Sequence, residues 1–118
     1  LLVLVWLLAA ASQGLLAGER VPILGWHSIP EQEISLERFR ELAEMGLTHS
    51  LMHYSAEVNL RALDYAAEVG VKLFVGDGRF ESVGEGLEEA VQLYRDHPAL
   101  AGYTLRDEPS LGAFAGLA

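Results

Sequence analysis

The sequence predicts an α/β fold of the (β/α)8 TIM-barrel class, with the first four βα units falling within its 118 residues. Three observations predict it. Short apolar runs begin near positions 22, 48, 71 and 101, and the spacings of 26, 23 and 30 residues leave room for one helix between each pair. That is the cadence of parallel strands joined by helical crossovers. The runs hardly alternate with polar residues, as expected of strands covered on both faces. The third observation is the first strand-to-helix turn, Gly25-Trp26-His27-Ser28-Ile29-Pro30. It lacks the Gly-x-Gly-x-x-Gly of a dinucleotide-binding open sheet, which decides against the doubly wound alternative. The later glycines, Gly76-Asp77-Gly78 and Gly84-Glu85-Gly86, lack the Lys-Ser or Lys-Thr of a phosphate loop.

Val21 to Trp26 is the first strand, ending at the polar pair His27-Ser28. Ser35 is placed to cap a helix from Leu36 to Met45, where Leu36, Phe39, Leu42 and Ala43 recur at helical spacing. Gly46 should end it in the left-handed conformation. Thr48 to Tyr54 is the second strand. The second helix runs from about Val58 to Val69, with Leu60, Leu63, Ala66, Ala67 and Val69 as its apolar face and Gly70 as its stop. Val71 to Val75 is the third strand, followed by a helix from about Glu85 to Tyr94 that Asp96-His97-Pro98 breaks. Ala101 to Leu105 is the fourth strand, and it delivers Arg106-Asp107-Glu108-Pro109. His97 reads as a turn residue rather than a ligand.

Residues 1–20 read as a signal peptide and short linker, and residues 21–118 as one domain. Leu1 to Leu8 is wholly apolar, the small residues Ala9-Ala10-Ala11-Ser12 suit a signal peptidase, and the first 18 residues carry no charge. Ser12-Gln13-Gly14 interrupts the run short of the about 20 apolar residues of a membrane span. The expectation is export, to the periplasm or outside the cell, with an uncleaved anchor as the alternative. An initiator Met and basic leader residues are missing in front, and the apolar stretch Ala113 to Ala118 carries no terminal signal, so the chain is expected to be the N-terminal half of a larger barrel.

Composition narrows the partners. A hydrophobic content of 51% excludes disorder. The 17 acidic residues outweigh 8 basic ones, for a net charge of -9, which argues against nucleic acid and anionic membranes as partners. No cysteine is present, so neither a disulfide nor a lipid-modified cysteine is available. No cofactor is expected.

In a parallel barrel the carboxyl ends of the strands carry the chemistry. Trp26 and His27 follow strand one, His53 and Tyr54 strand two, Asp77 and Arg79 strand three, and Asp107 and Glu108 strand four. Parallel strands would bring all eight to one rim. An aromatic surface with imidazoles and carboxylates suits a sugar, whose ring faces stack and whose hydroxyls need polar partners. Glycoside hydrolysis needs a carboxylic acid at the leaving oxygen and a second carboxylate as nucleophile or base. Glu108 is the candidate acid, a role that suits it if burial and the neighbouring negative charge of Asp107 disfavour its ionisation. Asp107, next to it in an extended segment, would point elsewhere.

The stretch His97-Pro98-Ala99-Leu100-Ala101-Gly102-Tyr103, followed by Arg106-Asp107-Glu108-Pro109-Ser110, resembles the fourth-strand region of the clan A barrel glycoside hydrolases, including the β-galactosidase-like families. Members of that clan carry Asn-Glu-Pro at this strand end. The resemblance implies that Glu108 is the general acid/base of a retaining mechanism and that Asp107 stands where the clan's Asn binds the sugar 2-hydroxyl. It also implies a nucleophile glutamate at the end of a seventh strand.

Each residue also has a plainer reading. Asp107 and Glu108 could simply open a helix, where acids and Pro109 are favoured. His27 and His53 could be hydrogen-bonded structural imidazoles, and Trp26 a packing residue of the rim. Asp77 and Arg79 could close their loop as an ion pair. A zinc site from His27, His53 and Asp77 lacks any His-x-His or His-Glu-x-x-His spacing. An aldolase or metal-dependent hydrolase would want a strand-end Lys or a His-x-His. The competing function is a carbohydrate-binding or surface protein on the same scaffold.

Overall fold

The computed structural model describes residues 21–27, 29–81, 84, 86–108 and 110–116. The signal-peptide expectation therefore lies outside the described residues. Four strands, β1 (Leu24–Gly25), β2 (His49–His53), β3 (Lys72–Gly76) and β4 (Leu100–Thr104), form one parallel sheet in the order β1-β2-β3-β4. Three α-helices link them: α1 (Leu36–Glu44), α2 (Ala56–Val69) and α3 (Leu87–Tyr94). Single turns of 3-10 helix lie at Glu31–Glu33 and Gly78–Glu81, and a longer one at Leu111–Gly116. Among the described residues no helix is long and apolar enough to cross a membrane.

Local chemistry places the helix ends. The Ser35 hydroxyl accepts from the Arg38 amide at 3.4 Å, as an N-cap should. Gly46 and Gly70 follow α1 and α2 with φ of 86° and 76°, the left-handed geometry that glycine adopts without a steric cost. α2 starts two residues earlier than its apolar spacing suggests, with Ser55 at the N-cap position and its carbonyl accepting from the Asn59 amide at 2.9 Å. β1 is shorter than the Val21 to Trp26 run. Its pairing with β2 tapers into the Ile23 carbonyl, which accepts from the Thr48 and His49 amides at 3.0 and 3.1 Å. β4 begins one residue early, and a register shift at Leu73/Phe74 takes up the difference, so that Phe74 pairs with Gly102.

The core lies on one face of the sheet. Met52 of β2 with Leu73 and Val75 of β3 turn to that face, where Phe39 of α1, Ala62, Leu63 and Ala66 of α2, and Ala90 and Tyr94 of α3 meet them in one buried cluster. Sequential strand order with right-handed crossovers puts every helix on the same side. Leu51, Phe74 and Thr104, which alternate with the buried positions, face the other way and are only half-buried. The expectation of strands covered on both faces therefore holds for one face among the described residues. At the lower end of β4, His97 is the turn residue expected: its Nδ1 accepts from the Ala99 amide at 3.2 Å while Nε2 meets Asp64 at 3.2 Å.

Candidate functional site

The carboxyl ends of the strands meet around a cavity of about 550 Å3 on the open face. Trp26 and His27 reach it from β1, His53 from β2, and Thr104, Arg106 and Asp107 from β4. Leu24, Leu51 and Phe74 supply its apolar floor. Of the eight residues expected on the rim, Trp26, His27, His53 and Asp107 line this cavity, and the other four stand elsewhere. Trp26 is 59% exposed, an uncovered indole beside two imidazoles and a carboxylate.

Asp77 is turned inward, beneath the β3 end. Its Oδ1 accepts from the Arg79 amide at 3.0 Å and from Arg79 Nε at 2.9 Å. Oδ2 accepts from Arg79 Nη2 at 2.7 Å and from the Tyr94 hydroxyl at 2.7 Å. The pair is thus the loop-closing ion pair that its spacing allowed, with a tyrosine from α3 added. The guanidinium hydrogen bonds hold the Asp77 carboxyl well below the usual carboxylate range, outweighing the opposing effect of burial. Arg79 is raised in turn by its bond to Asp77. Burial pushes the Tyr94 phenol up.

Tyr54 is likewise committed, donating its hydroxyl to the Ile29 carbonyl across the first and second βα turns. Beside it, the buried Asn59 of α2 donates through Nδ2 to the carbonyls of Tyr54 at 3.0 Å and Gly76 at 2.9 Å. One amide therefore ties together the ends of β2 and β3, the strands that carry His53 and Asp77. Its Oδ1 is buried with no hydrogen-bond partner.

The two acids after β4 diverge. Asp107 lines the cavity, whereas Glu108 is exposed beside it and has φ of 44°. A left-handed φ costs an ordinary residue about 1–2 kcal/mol, so the backbone at Glu108 is strained. Among the described residues no three acidic or histidine side chains gather closely enough to hold a metal ion.

No motif in the sequence marks Asn59 or Tyr94 as part of the site, and Gly76 and Arg106 stand out in it only as members of longer runs. Asn59 did leave a signal: it falls three, four and seven residues before Ala62, Leu63 and Ala66, a polar residue inside an apolar helical stripe. No family model, curated protein or solved structure matches this chain.

Proposed function

We propose that the four parallel strands and their three helices belong to a (β/α)8 barrel whose carboxyl-end rim binds a saccharide, and that its activity is retaining hydrolysis of an O-glycoside. The observation that carries the reading is the convergence of Trp26, His27, His53 and Asp107 on one cavity at the strand ends. An exposed indole offers a face for a sugar ring, and the imidazoles and carboxylate offer donors and acceptors for its hydroxyls. The sheet supports the barrel reading: strand order runs without reversal and the helices share one face, whereas an open doubly wound sheet reverses at a switch point.

In this proposal Glu108 is the general acid/base. Its carboxylic acid protonates the glycosidic oxygen as the bond to the anomeric carbon breaks and a second carboxylate attacks that carbon. The Glu108 carboxylate then takes a proton from water, which displaces the enzyme carboxylate with overall retention. Retaining pairs stand about 5–5.5 Å apart across the bond. Among the described residues Asp107 alone brings a carboxylate to the cavity, so the nucleophile is assigned to a further strand of the barrel. Asp107 is assigned to a sugar hydroxyl, and the leader in residues 1–20 to export.

The position of Glu108 outside the cavity favours a second reading, a carbohydrate-binding protein without turnover. Titration of the chain with methyl galactoside, methyl glucoside and their oligomers, read by calorimetry, tests the saccharide site common to both. Binding that weakens in Trp26→Ala is expected, and no binding to any of them removes both readings. On this reading, Glu108→Gln should lower turnover of a poor-leaving-group glycoside by at least about 100-fold, the usual scale of acid/base assistance. Unchanged turnover would leave Glu108 out of the mechanism.

A further inference from the structure

We propose that Gly76 is a positioning residue for His53, holding the imidazole so that its Nε2 edge faces the cavity; this rests on the saccharide reading of that cavity. His53 and Gly76 are direct partners in the parallel register of β2 and β3. A Cβ built on Gly76 would lie 2.9 Å from His53 Cγ and 3.1 Å from Cε1, and nearer still to Nδ1. The ring therefore leans across the sheet, and Nδ1 fills the space in which any other residue's side chain would begin. The three ring atoms nearest to that Cβ are Nδ1 and its two bonded neighbours, so the Nε2–Cδ2 edge is the one turned away from it.

Backbone conformation gives no other reason for glycine here. The described glycines with left-handed φ are Gly46, Gly70 and Gly86, and Gly76 is not among them. Absence of a side chain is what the position uses, as glycine does in a strand where another group comes close. The height of Gly76 is itself set, since its carbonyl accepts from the buried Asn59 amide at 2.9 Å. A milder version of the same contact lies two residues lower on β3, between β3 and β4, where the Phe74 ring edge stands 3.2 Å from a Cβ built on Gly102. The lean of His53 matters because an imidazole nitrogen donates or accepts according to tautomer, and only the nitrogen that faces the ligand can meet a sugar hydroxyl.

The test uses the whole chain, with methyl galactoside and methyl glucoside as probes. Gly76→Ala should weaken binding of the better probe about tenfold, the scale of one lost hydrogen bond. In a His53→Ala background the same Gly76→Ala change should cost nothing further, because the group it collides with is gone. Nuclear Overhauser contacts between the His53 ring and the Gly76 α-protons should be present in the wild-type chain, with or without a probe, and their absence would overturn the proposal. Should Gly76→Ala fail to fold, folding of the double variant would show that the collision is with His53; failure of both would overturn the proposal. Wild-type affinity in Gly76→Ala, or an equal loss in the His53→Ala background, would also overturn it. If the wild-type chain binds neither probe but shows those ring contacts, the saccharide reading falls and the placement of His53 by Gly76 stands.

Discussion

Asp77 and Asp107 follow neighbouring parallel strands, one residue beyond β3 and three beyond β4, and they have opposite fates. Asp77 is 5% exposed and its two oxygens take four hydrogen bonds from Arg79 and Tyr94. Asp107 stands exposed on the lip of the cavity. The difference teaches that a carboxylate at a strand end becomes structural when its own loop returns a cation and the next helix returns a hydroxyl. Asp107 is followed by another acid and a proline, where Asp77 has Arg79 two positions on.

The contrast is broken most severely at Asp77. Asp77→Ala leaves the buried Tyr94 hydroxyl without its partner and the partly exposed Arg79 guanidinium to water, and should cost about 3 kcal/mol, the upper end for hydrogen bonds to a charged group. Urea denaturation followed by circular dichroism should register that loss, and a change within experimental scatter would mean that the network contributes nothing. The pH dependence has a definite sign. Because folding depresses the Asp77 pKa, its stabilisation is complete above the ordinary aspartate value of about 3.9 and is lost as pH falls from there toward the folded value. Denaturation midpoints measured between pH 6 and pH 2 should therefore fall, and Asp77→Asn should flatten that decline.

Tyr94→Phe should cost about 1.5–3 kcal/mol, the range for a hydrogen bond to a charged group, with Asp77 keeping its bonds to Arg79. Thermal melts of this variant beside Asp77→Ala would rank the two contributors. Glu108→Gly works in the other direction. Relief of its left-handed φ should raise stability by about 1 kcal/mol, and an unchanged midpoint would show that the backbone there is unstrained. The smallest effect is expected at the other end of the comparison: Asp107→Ala should change stability by no more than about 0.5 kcal/mol while weakening saccharide binding. A large loss of stability in Asp107→Ala would make the two acids alike after all.

Much of the scaffold was legible in the chain. Ser35, Gly46 and Gly70 marked helix ends through capping chemistry that acts over three or four residues, and the spacing of the apolar runs located every strand to within a few positions. The parallel order followed from chain lengths between strands. Strand limits were less legible, since β1 is bounded by where pairing with β2 tapers near Thr48, and β4 by a register shift opposite Leu73 and Phe74. At the site, residue types at the strand ends named the rim, but they could not say which of Trp26, His27, His53, Tyr54, Asp77, Arg79, Asp107 and Glu108 would face one cavity. Tyr54 found a carbonyl 25 residues away, and Asp77 a hydroxyl 17 residues away.

The sequence by itself determined the alternation of strands and helices and the placing of polar residues at one end of the sheet, because propensity, capping and periodicity act between near neighbours. The tertiary structure alone decided which side of each strand end a group turns to, since that depends on what distant segments bring to it. Tyr94 drew Asp77 inward, and the bare backbone of Gly76 let His53 lie across the sheet. Both outcomes depend on excluded volume and hydrogen-bond geometry in three dimensions, which no spacing along the chain encodes.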